Sequence, residues 1–214
     1  MPIATFLITH GAGAGLDSEF MVSVTKGLEE KNIEVIGFEF PYMKIIKKEG
    51  KRRPPDRMPK LLIAFEEAIN NVSHKKNLFI GGKSMGGRVA SLLAAEEDLN
   101  DEIKGVICLG FPFHPPKKED KFRGEHLASI SVPTLIVQGD RDTFGNQNEV
   151  DTYQFSKKVN VKFLTDGDHS FKPRVKSAVT LEENMKKSVE LIAQFISDII
   201  NSSLKNQQED RVLA

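Results

Sequence analysis

Short, almost unbroken apolar runs alternate along this chain with longer stretches in which apolar residues recur every three or four positions. The first pattern predicts strands covered on both faces, the second helices with one buried stripe. Ile3 to Thr9 is the first run, and Ile33 to Phe40 the second, carrying Val35, Ile36, Phe38 and Phe40. Leu78-Phe79-Ile80, Ile103 to Leu109, Val132 to Val137 and Val161 to Leu164 supply four more. Between them, Asp17 or Ser18 caps a helix whose inner face is Phe20 or Met21, Val24 and Leu28. Asp56 is the candidate N-cap of a second helix, with Pro59 tolerated in its first turn. Leu61, Phe65, Ala68, Ile69 and Val72 form its stripe, and His74 ends it. Val89, Leu92 and Leu93 mark a helix after Ser84, and a short one is expected over Glu149 to Ser156. The closing helix opens on Thr180 and Glu183 in a capping-box pattern and buries Met185, Val189, Ile192, Ile196 and Ile199. Lys44 to Lys60 reads as a basic loop, and Gly110 to Ser131 as a long connection with no strong helix.

Six strands alternating with helices predict an α/β domain over residues 1–200, an open and mostly parallel sheet with helices on both faces. A polar tail, 201–214, should fray. In such sheets ligands bind outside the carboxyl ends of the strands. The loops after Thr9, Phe40, Ile80, Leu109, Val137 and Leu164 therefore share one rim, where any catalytic residues belong.

Composition narrows the function. The 214 residues carry 30 Lys+Arg and 30 Asp+Glu, so no global field draws the protein to nucleic acid or to an anionic membrane. No apolar run approaches a membrane span. The N-terminus lacks a basic region and runs at once into a strand, so no signal peptide is read there. The single cysteine, Cys108, forms no internal disulfide, and no Cys/His spacing suits a metal. These features predict a cytoplasmic protein with no cofactor or metal and leave its oligomeric state open.

Chemistry enters at Gly82-Lys83-Ser84-Met85-Gly86, which fits G-x-S-x-G, a serine on a sharp turn between strand and helix. The glycines two before and two after the serine answer to crowding in that turn. A plain glycine-rich turn whose serine caps the helix would look the same locally, so partners decide. A phosphate loop is excluded because position 77, where its first glycine belongs, is Asn. Gly11-x-Gly13-x-Gly15 likewise departs from the dinucleotide fingerprint G-x-G-x-x-G.

The partners lie downstream, in the order Ser84, Asp142, His169. A serine hydroxyl is a weak nucleophile at neutral pH and needs a base to take its proton. Of the five histidines only His169 follows both serine and acid and sits just past a strand; His10 lies in the first loop, and His114 and His126 precede the acid. Asp142 would fix the imidazole tautomer and stabilise its cation. Asp140 competes for that role but suits the turn itself, and Asp168 adjoins the base and shapes its loop. A tetrahedral intermediate would need two backbone N–H donors, and Met85 and Ala12 are the candidates.

Thr9-His10-Gly11-Ala12-Gly13, Gly81 to Gly87, Gln138-Gly139-Asp140-Arg141-Asp142 and Gly167-Asp168-His169 resemble the α/β-hydrolase superfamily across nearly the whole chain. Arg53-Pro54-Pro55-Asp56-Arg57 and Leu109 to Pro116 are similar to a small lidless branch. That branch is related to dienelactone hydrolases and includes the hydrolase-like domain of a non-specific-lethal complex regulatory subunit. The resemblance implies Ser84 as nucleophile, Asp142 as acid and His169 as base, with no cap domain between residues 110 and 131. The chain would thus depart from larger hydrolases in lacking that cap and in starting at the third of the usual eight strands.

Phe111, Phe113, Phe144, Phe171, Tyr42 and Met43 follow strand ends and fit equally an acyl pocket or core plugs. Lys44 to Lys60 carries eight basic and two acidic residues, so Arg53 or Arg57 could hold an anionic substrate or pair with Asp56. Lys83 has the same two options, and Cys108 is a small core residue. The expectation is a serine hydrolase for small esters or thioesters, acting through an acyl-enzyme. The alternative is a hydrolase-like module that binds proteins without turnover.

Overall fold

All strand pairings are parallel in the computed structural model, which describes residues 1–73, 77–96 and 103–213, with side chains to residue 205. The strands are β1 (Ala4–Thr9), β2 (Ile33–Phe38), β3 (Leu78–Lys83), β4 (Ile103–Leu109), β5 (Thr134–Gly139) and β6 (Val159–Leu164). They form one sheet in the order β2-β1-β3-β4-β5-β6. The helices are α1 (Glu19–Glu29), α2 (Pro41–Glu49), α3 (Met58–Asn70), α4 (Met85–Leu93), α5 (Gln147–Val150) and α6 (Leu181–Leu213). The expected α/β architecture is what the chain adopts.

Burial explains why the strands read as unbroken apolar runs. β1, β3 and β5 are buried at every position, because helices cover both faces of the sheet. One core packs α1 and α6 against Phe6, Ile8, Phe79, Ile107 and Val137; the other packs α2, α3 and α4 against Leu7, Ile80, Val106 and Ile136. From β1 the chain steps outward to β2, then crosses back over to β3 on the other side of β1. The strand order therefore reverses between β1 and β3, and a crevice opens at their carboxyl ends, where open α/β sheets take their ligands.

Several boundaries differ from the sequence reading. The basic stretch is not all loop. Pro41 starts α2, and Gly50, at φ 68°, ends it in the left-handed conformation. β2 stops at Phe38, and Phe40 is buried as the residue before that helix. The cap of α3 is Arg57 rather than Asp56, whose carboxylate pairs instead with Lys60 at 3.0 Å. α5 is shorter and earlier than expected, because Asn146 and Glu149 cap each other's backbone N–H groups. The long connection contains one 3-10 turn, Glu125–Ala128. Ser18 and Thr180 cap their helices as expected. α6 runs on past Asn201, where the sequence suggests fraying, and residues 201–205 are exposed. His74 lies outside the described residues.

Candidate active site

The turn from β3 into α4 is the sharpest feature of the rim. Ser84 has φ 50° and ψ −114°, a conformation that side chains with a Cβ rarely adopt. Its flanking glycines are dictated by contact. A Cβ on Gly82 would overlap the Thr9 carbonyl oxygen, and one on Gly86 would lie 2.7 Å from the His10 carbonyl oxygen. The turn can press against the end of β1 only because both positions lack a side chain.

Opposite Ser84 stands the loop after β6. The Ser84 hydroxyl is 2.9 Å from Nε2 of His169, and Nδ1 of His169 is 2.8 Å from Oδ2 of Asp142. An N–H on Nδ1 donating to the carboxylate leaves Nε2 with its lone pair toward the hydroxyl. Asp142 is fully buried, while His169 keeps 23% of its side chain exposed. The three residues predicted from chain order thus meet at one point. Asp140 does not take part: its Oδ2 accepts from the Asp166 N–H at 2.9 Å and braces the turn. Asp168 accepts from the N–H groups of Ser170 and Lys172 and shapes the histidine loop.

A buried carboxylate is costly unless its oxygens are hydrogen-bonded. Asp142 accepts from His169, from the Phe144 N–H at 2.8 Å and from Nε2 of Gln138 at 2.9 Å. Gln138 is itself fully buried. Its Oε1 accepts from the Phe111 N–H at 2.7 Å, and its Nε2 also lies 3.1 Å from the Gly145 carbonyl. This residue was quoted in the sequence motif but given no role; its only signal is a polar residue inside an apolar strand. Phe144 lies over the imidazole of His169, ring centroids 4.2 Å apart.

The loop after β1 is clamped by its carbonyls. Gly11 O accepts from Nδ1 of His10 at 2.7 Å and lies 3.2 Å from the Tyr42 hydroxyl. In the trans peptide that follows, the Ala12 N–H points away from those two groups. Among the described residues neither Ala12 nor Met85 donates its N–H to a protein acceptor. His10 is fully buried, and Nε2 accepts from the Phe40 N–H at 3.1 Å. Burial pushes its pKa down and keeps the ring neutral.

The other candidates are placed differently. Phe111, Phe113, Phe171 and Tyr42 are completely buried and Met43 nearly so, which makes them core plugs; only Phe144 reaches the rim partly exposed. Lys83 pairs with no acid within 4 Å among the described residues, and its ammonium points under the histidine loop rather than to solvent. Among the described residues neither Arg53 nor Arg57 pairs with Asp56. Cys108 is buried. No described residues form a metal-holding cluster, and no described helix is long and apolar enough to cross a membrane.

The fold and the rim together define an α/β hydrolase architecture, and solved structures agree. A Butyrivibrio proteoclasticus protein, Est1E with ferulic acid bound, is 16% identical over 92% of this chain and 90% of its own, with a TM-score of 0.66. Dienelactone hydrolase from Anabaena variabilis is 17% identical over 92% and 87%, with a TM-score of 0.66. A monoacylglycerol lipase from Paleococcus ferrophilus is 13% identical over 91% and 96%, with a TM-score of 0.64. At such identities the likeness is one of fold. The profile of the alpha/beta hydrolase domain family matches residues 2–197, and the chain belongs to that family.

Proposed function

We propose that this protein is a serine hydrolase that cleaves small carboxylic esters or thioesters through an acyl-enzyme on Ser84. The observation that carries this reading is the continuous contact from Ser84 through His169 to Asp142, at 2.9 Å and 2.8 Å. His169 takes the hydroxyl proton as Ser84 attacks the acyl carbon, and returns it to the leaving alcohol or thiol. Asp142 holds the N–H on Nδ1 and stabilises the imidazolium formed in that step. The oxyanion is received by the N–H groups of Ala12 and Met85, the first turned from its clamped carbonyl, the second at the start of α4. Water then enters the same route and releases the acid.

The partial exposure of Ser84 and His169 favours soluble substrates over a lipid interface. One buried cysteine suits a reducing, cytoplasmic setting. A fluorophosphonate probe should label the protein at Ser84, and Ser84→Ala should abolish labelling. Folded wild-type protein that stays unlabelled would refute this reading and favour the non-catalytic interaction module. A panel of esters varying acyl length and charge then identifies the substrate.

A further inference from the structure

Lys83 is the residue between Gly82 and Ser84, and its side chain runs beneath the whole site. Its stem passes the oxyanion loop: a Cβ on Gly11 would lie 3.6 Å from Cγ of Lys83. The ammonium ends under the opposite loop, donating to the main-chain carbonyl of His169 at 2.5 Å. It lies 5.2 Å from the ring centroid of Phe20 and 5.9 Å from that of Phe171. A Cβ on Gly110 would come within 2.7 Å of it. The residue is only 9% exposed, and no carboxylate lies within 4 Å of its ammonium among the described residues.

A buried ammonium without a counter-ion is costly, and a methionine would fill the same space with no such cost. The two aromatic faces offset part of the penalty, and the carbonyl bond offsets more. The carbonyl bond and the Phe171 contact act only while the histidine loop stays where it is, whereas Phe20 belongs to α1. We propose, on the reading that Ser84 and His169 are the reacting pair, that Lys83 is a positioning residue. It ties the histidine loop to the elbow through the His169 carbonyl and so keeps Nε2 on the Ser84 hydroxyl. The link is direct, since Lys83 adjoins the nucleophile in sequence and bonds to the base residue itself. No other side chain among the described residues donates to that carbonyl.

Titration gives this role a signature of its own. Burial brings the Lys83 pKa down to about 8, with Asp142 and Asp168 acting in the opposite sense. The charged groups facing the ammonium are therefore Asp142 on the acid loop, and Asp168 beside His169 on the histidine loop; Phe20, Phe171 and Gly110 bring none. As Lys83 loses its proton, its bond to the carbonyl weakens and the imidazole shifts.

The test uses protein labelled with nitrogen-15 at histidine, with the His169 signals assigned from a His169→Gln variant. Wild-type His169 should show a chemical-shift step near pH 8 that is absent in Lys83→Met and in Lys83→Gln. In parallel, kcat for p-nitrophenyl acetate should fall about tenfold or more in Lys83→Met, with KM changed less than twofold. Lys83→Gln, which keeps an N–H donor, should lie between. The proposal is overturned if wild-type His169 shows no step near pH 8, or if the step persists in the variants. A folded Lys83→Met protein with unchanged kcat overturns it too. The spectroscopic step needs no turnover, and the wild-type titration needs no variant to fold. A failure of the hydrolase reading shows separately, as absent fluorophosphonate labelling.

Discussion

Ser84 sits at φ 50° and ψ −114°, and this backbone geometry makes a prediction about stability rather than rate. For a residue with a Cβ such a conformation costs roughly 1–3 kcal/mol. Inverted through the origin it becomes φ −50°, ψ 114°, which lies near the ordinary extended region, so an achiral glycine adopts it without strain. Ser84→Ala and Ser84→Gly both lose the hydroxyl and its 2.9 Å bond to His169, so that loss cancels between them. Glycine gives back about 0.5–1 kcal/mol through its more flexible unfolded chain. The remainder favours Ser84→Gly over Ser84→Ala by about 1 kcal/mol. For a chain of this size that corresponds to a melting temperature about 2–4 °C higher. Scanning calorimetry of the two variants in one buffer measures the difference directly. If Ser84→Ala melts at or above Ser84→Gly, the elbow stores no strain and the reasoning fails.

Three further outcomes are expected. Gln138→Leu should lower stability by roughly 2–4 kcal/mol in a denaturant titration, because it strands the Phe111 N–H and removes a donor from Asp142; the same variant should slow ester hydrolysis. Gly82→Ala forces a methyl into the Thr9 carbonyl and should cost roughly 1–3 kcal/mol or more, whereas Gly13→Ala, with nothing within 4 Å, should leave the melting temperature close to wild type. His126, whose Nε2 is 2.8 Å from the Ser91 hydroxyl, has its pKa lowered to about 4, mainly by burial and then by Arg88. The unfolded chain takes up that proton from about pH 6.5 downward, before the folded chain does, so this group's contribution is complete above 6.5 and is lost as pH falls toward about 4. His114, with its pKa raised, acts in the opposite sense, so the comparison of wild type with His126→Gln across that window isolates the effect.

The three side chains that meet at the rim were legible because each follows a strand, and parallel strands deliver their loops to one rim. The sheet was legible for a related reason: β1, β3 and β5, buried throughout, leave short apolar runs that end at turn residues. α2 was missed because its lysines dominate the stretch, while only Tyr42 and Met43 of its inner face are fully buried. The six aromatics could not be sorted, since a ring at a strand end has the same sequence whether it plugs the core or lines a pocket. Lys83 was misread for a deeper reason. A lysine beside a serine suggests a charge facing substrate, and only the fold shows that its ammonium ends under the histidine loop, on the His169 carbonyl.

That division between rim and floor accounts for how an open site is kept in register. With Ser84 and His169 partly in solvent, electrostatic attraction at the rim is weakened by water, so alignment must come from bonds made where water is absent. The buried bonds are placed accordingly. Gln138 fixes Asp142 from within β5, and Lys83 fixes the His169 carbonyl from the end of β3. Nearer the surface, Asp166, its pKa held down to about 2 chiefly by Arg174, forms ion pairs with Arg174 at 2.6 Å and with Arg141 of the acid loop at 2.7 Å. Asp140 closes the same tie from the other side, through the Asp166 N–H. The acid and histidine loops are thereby joined to each other, and each is joined to the strand beneath it. A cap that closed over substrate could impose such alignment from above. In this chain the polar groups inside the sheet, Gln138 and Lys83, hold the acid and histidine loops from below.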